Sequence, residues 1–333
     1  MLTVTVIVPV RDEIGRIPAV LAGLEAQSRR PDSVVVADGR SQDGTREWLA
    51  QAALTRPWLR VVDNPRQIVP TGLNAALRAA TGDIVARMDA HADYGPDYLE
   101  RVVAVLESRP DVVGVGGLME TAGVGPWGAA FASVLSRPFG LGGARHRVGG
   151  VGGPIDHVFS GAYRRAAVEA IGGWDETMVA NEDFEADYRL RQAGGVIWLE
   201  PSARTTWYTR ESLPALSRQM WRYGRYKAVT LRMHPDSLRL RQLAPPALVV
   251  GLAGSTAVRP RPGLAMTAAY LVATGGLGAR AASRSGASAV RGAVVPAVVH
   301  VSWALGLLSG IGATRMAPTG RAADSAGSSR PTG

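Results

Sequence analysis

The chain has 333 residues, a formal net charge of +9 and no cysteine. The missing cysteine excludes disulfides, thiolate catalysis and zinc–thiolate sites, and the length allows one large domain or two ordinary ones. The charge is uneven: residues 237–333 hold ten arginines and one acid, Asp324, while residues 1–236 hold 27 basic and 27 acidic residues. A neutral front part argues against nucleic-acid binding, and a basic excess among apolar segments points to a membrane surface.

Residues 3–9, Thr-Val-Thr-Val-Ile-Val-Pro, read as a strand, with no basic n-region or cleavage site of a secretory signal. The front part is therefore expected to face the cytoplasm. Residues 14–27 read as a helix with Ile17, Val20, Leu21 and Leu24 on one face. Strands follow at 33–37, 59–62 and 84–88, separated by helices at 43–53 and 71–80, with a further helix at 96–108 before the apolar run 112–115. This alternation implies an α/β fold, a parallel sheet with helices on both faces. Seven glycines between 138 and 153 predict a mobile loop, a lid or a connector, in which Arg145 and Arg147 could meet phosphate oxygens. Helical patterns resume at 164–171 and 182–193.

Beyond Arg241 the runs 243–258, 264–278 and 293–312 carry no charged side chain. Only the third approaches the ~20 residues that cross a bilayer. Such runs also occur as buried helices of soluble domains, but the joint loss of acids favours a membrane-associated helical region over residues 237–313. Just before it, Arg218, Arg222, Arg225 and Lys227 interleave with Met220, Trp221, Tyr223 and Tyr226, a mix suited to an interfacial helix. Residues 314–333 are small and polar, and are expected to be a disordered tail.

Four polar clusters follow strands or open helices: Pro9-Val10-Arg11-Asp12-Glu13, Asp38-Gly39-Arg40-Ser41-Gln42-Asp43-Gly44-Thr45, Asp89-Ala90-His91 and Asn181-Glu182-Asp183. Ligands of open α/β sheets bind at the carboxyl ends of the strands. There a carboxylate and an imidazole, Asp89 and His91, can hold a divalent cation against phosphates. Read singly, each cluster is also a turn, a loop or a helix cap. Together they look like a nucleotide pocket, a metal site and a base. A nucleotidyltransferase expects a glycine-dense phosphate loop after the first strand, and residues 10–15 lack one. A nucleotide-sugar-binding scaffold without turnover would require Asp183 to lie away from the metal site.

The order of these clusters resembles family 2 glycosyltransferases of the GT-A fold, closest to the succinoglycan-biosynthesis type. Two further stretches agree: Ser160-Gly161-Ala162-Tyr163-Arg164-Arg165 leading to Gly172-Gly173-Trp174-Asp175-Glu176, and Arg218-Gln219-Met220-Trp221-Arg222-Tyr223-Gly224. The resemblance implies a GT-A catalytic domain over residues 1–236. Its metal-dependent, inverting transfer would move a sugar from a UDP-linked donor to a polyprenyl-diphosphate-linked saccharide, in exopolysaccharide or cell-envelope synthesis at the cytoplasmic face of the inner or plasma membrane. Pro9, Asp12 and Glu13 would line the nucleotide pocket, and Asp38 would contact uracil or ribose. Asp89 and His91 would bind Mg²⁺ or Mn²⁺, and Asp183 would be the general base. Gly161, Glu182, Gln219, Arg222 and Tyr223 would serve the acceptor and the diphosphate. The chain departs from the family pattern at Ala37, where many members have an acid. It departs again at His91, in place of the second acid of Asp-x-Asp, and at Tyr223, in place of the Trp of Gln-x-x-Arg-Trp. The softer imidazole favours tolerance of Mn²⁺.

Overall fold

The computed structural model describes residues 1–313, so the tail from 314 lies outside the described residues. Strands β1 (Val4–Val10), β2 (Ser33–Asp38), β3 (Leu59–Asp63) and β4 (Ile84–Arg87) lie in the order β3-β2-β1-β4, all parallel. The remaining strands are β5 (Ala92–Tyr94), β6 (Val112–Ala122), β7 (Gly153–Pro154), β8 (Ala162–Arg164) and β9 (Val196–Tyr208). They continue the sheet as β8-β6-β9-β5, with β7 on β9. β8 runs antiparallel to both β4 and β6, and β5 and β7 run antiparallel to β9. The nine-stranded sheet is thus mixed, with its parallel part built by the predicted alternation.

Burial on both faces explains the apolar strands. In β1, Val4, Val6, Val8 and Val10 pack with Ile17, Leu21, Leu49 and Leu99, from helices Ile17–Glu25, Thr45–Thr55 and Tyr98–Ser108. On the opposite face, Ile7 packs with Leu73, Leu77, Ala186 and Leu190, from helices Val69–Ala79 and Glu182–Gln192. Pro9 sits inside β1, yet the last β1–β4 pair is Ile7 with Arg87. Its missing N–H therefore falls where β4 has already ended.

By its contacts the chain divides into two compact units. One is Met1–Met119 with Gly149–Trp207, and the other is Glu120–Val148 with 208–313. In the second unit, helices Gly125–Leu135, Leu213–Met233, Ala244–Val258, Pro260–Arg284 and Ala289–Gly312 make up most of the chain. The glycine-rich stretch is not one irregular loop. Pro138–Leu141 and Arg145–Val148 each form a helical turn, the first ended by Gly142 and Gly143 at positive φ.

The three apolar runs are three helices. Ala289–Gly312 is the one helix among the described residues long and apolar enough to cross a membrane, with a mean hydropathy of 1.8 in its most apolar window. Its one imidazole, His300, is satisfied on both ring nitrogens, by the Tyr270 hydroxyl at 2.9 Å and the Phe139 carbonyl at 2.8 Å. Large apolar side chains, among them Val250, Val258, Leu264, Val272, Val290 and Ile311, stand exposed on this unit.

Helices Leu213–Met233 and Ala289–Gly312 touch backbone to backbone. A Cβ on Gly224 would lie 2.0 Å from the Trp303 carbonyl, and one on Gly306 would lie 2.1 Å from that of Trp221. Gly306→Val is therefore expected to overpack the contact, at a cost of about 1–3 kcal/mol. It should lower the thermal midpoint of the purified protein; an unchanged midpoint would mean that the two helices do not meet there.

Candidate active site

The first two clusters interlock at the ends of β1 and β2. Asp12, at φ 54, donates its N–H to Ser41 Oγ at 2.9 Å and accepts from the Gln42 N–H at 2.8 Å. The Glu13 N–H donates to Thr45 Oγ1 at 2.8 Å, and the Ile14 N–H to Asp43 Oδ2 at 3.0 Å. Asp38 is buried; it accepts from Ser41 Oγ at 2.6 Å, and Arg46 stands 3.5 Å away. Asp38 thus holds the loop 39–45 in place. Glu13 is also buried, and its Oε1 meets His91 Nε2 at 2.9 Å. That contact joins the first cluster to the third.

The centre of the unit is Arg87, the last residue of β4, which is 4% exposed. Its Nε and Nη2 donate to the two oxygens of Asp89, at 2.8 and 3.0 Å. Its Nη1 donates to Glu182 Oε1 at 3.0 Å and to Asp183 Oδ1. Four of the five guanidinium donors are thereby engaged. Burial alone would pull this guanidinium's pKa down, but the charges of Asp183, Asp89 and Glu182 outweigh it and hold it well above its ordinary value. Asp89 is held further by its N–H to the Tyr94 hydroxyl at 2.8 Å and by Ser160 Oγ at 3.3 Å.

Asn181, at φ 63, turns the chain into the helix Glu182–Gln192, so that Glu182 and Asp183 open its first turn. Burial pushes the Asp183 carboxyl up to about 7 against the opposing pull of Arg87; Glu182 and Asp89 add to the rise, and His157 opposes it. Asp183 is therefore poised to exchange a proton near neutrality, as a general base requires. One turn on, Asp187 is fully buried; its Oδ2 pairs with His157 Nδ1 at 2.8 Å and accepts from the Val158 N–H at 3.0 Å.

Gly161 precedes β8, and its carbonyl accepts from the Arg87 N–H at 3.0 Å. A Cβ there would lie 2.8 Å from the Tyr163 ring and 2.9 Å from Val158 Cγ2, so any other residue would have to displace these buried side chains. The stretch Gly172–Glu176 is tied to helix Val69–Ala79. Asn74 Nδ2 donates to the Trp174 carbonyl at 2.8 Å, and Asn74 Oδ1 accepts from the Trp174 N–H at 2.9 Å.

The structure thus brings together Asp89, Glu182 and Asp183 through Arg87, and Glu13 with His91. The sequence reading missed Arg87 as a site residue. Its signal was a charge inside the buried run Ile84-Val85-Ala86-Arg87-Met88, since buried charges are paired. The His157–Asp187 pair had no local signal.

In the other unit, Gln219, Arg222 and Tyr223 lie on helix Leu213–Met233, where Gln219 Nε2 donates to the Tyr223 hydroxyl at 3.1 Å. Gln219 Oε1 and Arg222 Nε are buried with no hydrogen-bond partner among the described residues.

Residues 5–172 match the model of the family described as "Glycosyl transferase family 2". The chain is 36% identical over 247 residues to the succinoglycan biosynthesis protein ExoA of Rhizobium meliloti, covering 73% of this chain and 74% of that protein. It is 30% identical over 116 residues to the undecaprenyl-phosphate 4-deoxy-4-formamido-L-arabinose transferase of Pseudomonas fluorescens, covering 33% of this chain and 34% of that one. Among solved structures, the mannosyltransferase PcManGT of Pyrobaculum calidifontis, in complex with GDP-Man and Mn²⁺, superposes with a TM-score of 0.61 at 21% identity. That match covers 91% of this chain and 87% of that one. At this identity the likeness speaks for the fold, which is GT-A. Family model, relative and fold agree with the clusters at the strand ends: the chain belongs to glycosyltransferase family 2 and is a glycosyltransferase.

Proposed function

We propose that the enzyme moves a sugar from a UDP-linked donor, with inversion, to a polyprenyl-diphosphate-linked saccharide at the cytoplasmic face of a membrane, in exopolysaccharide or cell-envelope synthesis. The observation that carries this reading is the shared guanidinium: Arg87 binds Asp89 on one side and Asp183 on the other. A donor-side acid and a candidate base therefore stand at one strand end, where a single displacement needs them. A binding scaffold has no use for that arrangement.

The donor set suits a divalent cation. Asp89 and His91 keep 19% and 65% of their side chains exposed. Three carboxylates share one guanidinium, an excess of negative charge that a dication offsets. Among the described residues no three acids and histidines are placed so that they could hold one metal ion together. Two protein ligands completed by phosphates and water is the usual pattern for Mg²⁺ at nucleotide sites. When bound there, the cation would offset the charge that develops on the leaving diphosphate.

The protein's own groups do the rest. Pro9, Asp12 and Glu13 line the nucleotide pocket, and Asp38 shapes it through the loop it holds. The acceptor hydroxyl attacks the anomeric carbon, the bond to the diphosphate breaks with its electron pair, and the hydroxyl proton passes to Asp183. Gly161 and Glu182 border the acceptor, and Gln219, Arg222 and Tyr223 are assigned to the acceptor and diphosphate. The apolar helix Ala289–Gly312 and the exposed apolar side chains of its unit are consistent with a membrane seat.

Because Asp183 works ionised and its carboxyl is pushed up to about 7, turnover is expected to rise through pH 7 and level off above it. Below the limb it should fall about tenfold per pH unit. A profile flat from pH 5 to 8 would remove Asp183 from the rate.

The function is tested on membranes that contain the protein, supplied with a panel of nucleotide sugars and Mn²⁺, with mass spectrometry of the extracted lipids. A polyprenyl-linked saccharide heavier by one sugar is expected in the membrane pellet with a UDP donor. Absence of lipid-bound sugar with every donor would overturn the proposal.

A further inference from the structure

Arg87 is fixed by its backbone on two sides. It pairs with Ile7 in the β1–β4 register, and its N–H donates to the Gly161 carbonyl at 3.0 Å. Its side chain then spans two elements distant in sequence: the segment after β4, which carries Asp89, and the helix Glu182–Gln192, which carries Asp183. The division of labour on the guanidinium is unequal. Asp89 receives the planar two-pronged fork, while Glu182 and Asp183 share the single Nη1.

We infer that Arg87 is the positioning residue that sets the base against the donor, fixing the Asp183 carboxylate relative to Asp89 through one hydrogen of Nη1 while the other goes to Glu182. This rests on the reading of Asp183 as the base. Arg87 touches neither sugar nor acceptor in this account; it acts through Asp183. A lysine cannot reproduce the arrangement, because an ammonium has no planar fork and cannot hold one carboxylate bidentately while donating to two others. Displacing a catalytic group by about 1 Å costs on the order of 100-fold in rate.

The test is a double-mutant cycle in turnover on the full-length protein, with Arg87→Lys, Asp183→Asn and both together. Each variant is checked for folding by thermal melting, and its binding of UDP with Mn²⁺ is measured. Arg87→Lys alone is expected to lower kcat by about 100-fold. In the Asp183→Asn background the same change, read at saturating donor and Mn²⁺ so that any loosening of Asp89 is offset, should leave the residual kcat within about twofold, because residues that act as one unit are not additive. An equal loss in both backgrounds would overturn the inference, since Arg87 would then act without Asp183. If Asp183→Asn by itself keeps normal turnover, the base assignment fails instead, and the two failures are distinguishable.

A second arm does not depend on changing Arg87. Asp183 faces Arg87, Glu182, Asp89 and His157, and Glu182 both raises its pKa and holds the other hydrogen of the same nitrogen. In Glu182→Gln a neutral amide stands there, so Arg87 holds Asp183 more strongly. The acidic limb of the pH–rate profile should then move to lower pH. An unmoved limb, or one moved upward, would contradict the shared-nitrogen account.

Discussion

Asp183→Asn is expected to lower turnover by at least about 100-fold, as loss of a general base does, while the binding of UDP and Mn²⁺ stays near normal. The amide keeps the shape of the carboxyl beside Arg87 but cannot take the acceptor's proton. The fold should survive, and the sign of the linkage explains why. The folded-state pKa of Asp183 is raised from 3.8 to about 7, so between these values the native state holds a proton that the unfolded chain has released. Native stability therefore falls as pH rises through this window, and ionised Asp183 is a burden to the fold above it. Removing the charge relieves that burden at pH 8. Single-turnover kinetics beside a thermal melt at that pH separate the two effects. A variant that melts well below the wild type would move the explanation from chemistry to folding, and near-normal turnover would pass the role of base to another group, with Asp187 next in line.

The second large effect is expected at Asp89. Asp89→Ala should abolish the cation-dependent part of donor binding, a loss of at least about 100-fold for a lost metal ligand. His91→Ala should weaken it less and shift the preference between Mn²⁺ and Mg²⁺, because only the imidazole is the softer ligand. Calorimetric titration of UDP with each cation reads both. Unchanged binding in Asp89→Ala, or full activity in excess chelator, would remove the metal from the account. Arg87 would still have Glu182 and Asp183 in the variant, so gross unfolding is not expected to mask the result.

Legibility followed sequence distance. The parallel part of the sheet could be read because each strand is a short β-branched run and each helix follows it directly, as in Val4–Val10 and Ile17–Glu25. The clusters at 9–13 and 38–45 were legible for the same reason, since each sits at the end of its own strand. The antiparallel part was not. The longest strand, Val196–Tyr208, carries Glu200-Pro201-Ser202 at its middle, which reads as a turn. In the structure Pro201 falls between two separate pairings, β7 at Trp198 and Leu199 and β5 at Thr205 to Trp207, so its missing N–H is tolerated there. At the site, acids could be listed but not connected. Nothing local says that Arg87 meets Glu182 and Asp183, 95 and 96 residues away, or that His157 meets Asp187. A charge at the end of β4, inside a buried run, requires a partner, and only the fold says which.

The measurement that bears most directly on the central claim is the anomeric configuration of the transferred sugar, read by proton NMR on the lipid-linked product and compared with that of the donor. One displacement assisted by Asp183, with the diphosphate leaving from the opposite face, gives the inverted configuration. A product that retains the donor's configuration would contradict a single displacement and, with it, the role given to Asp183.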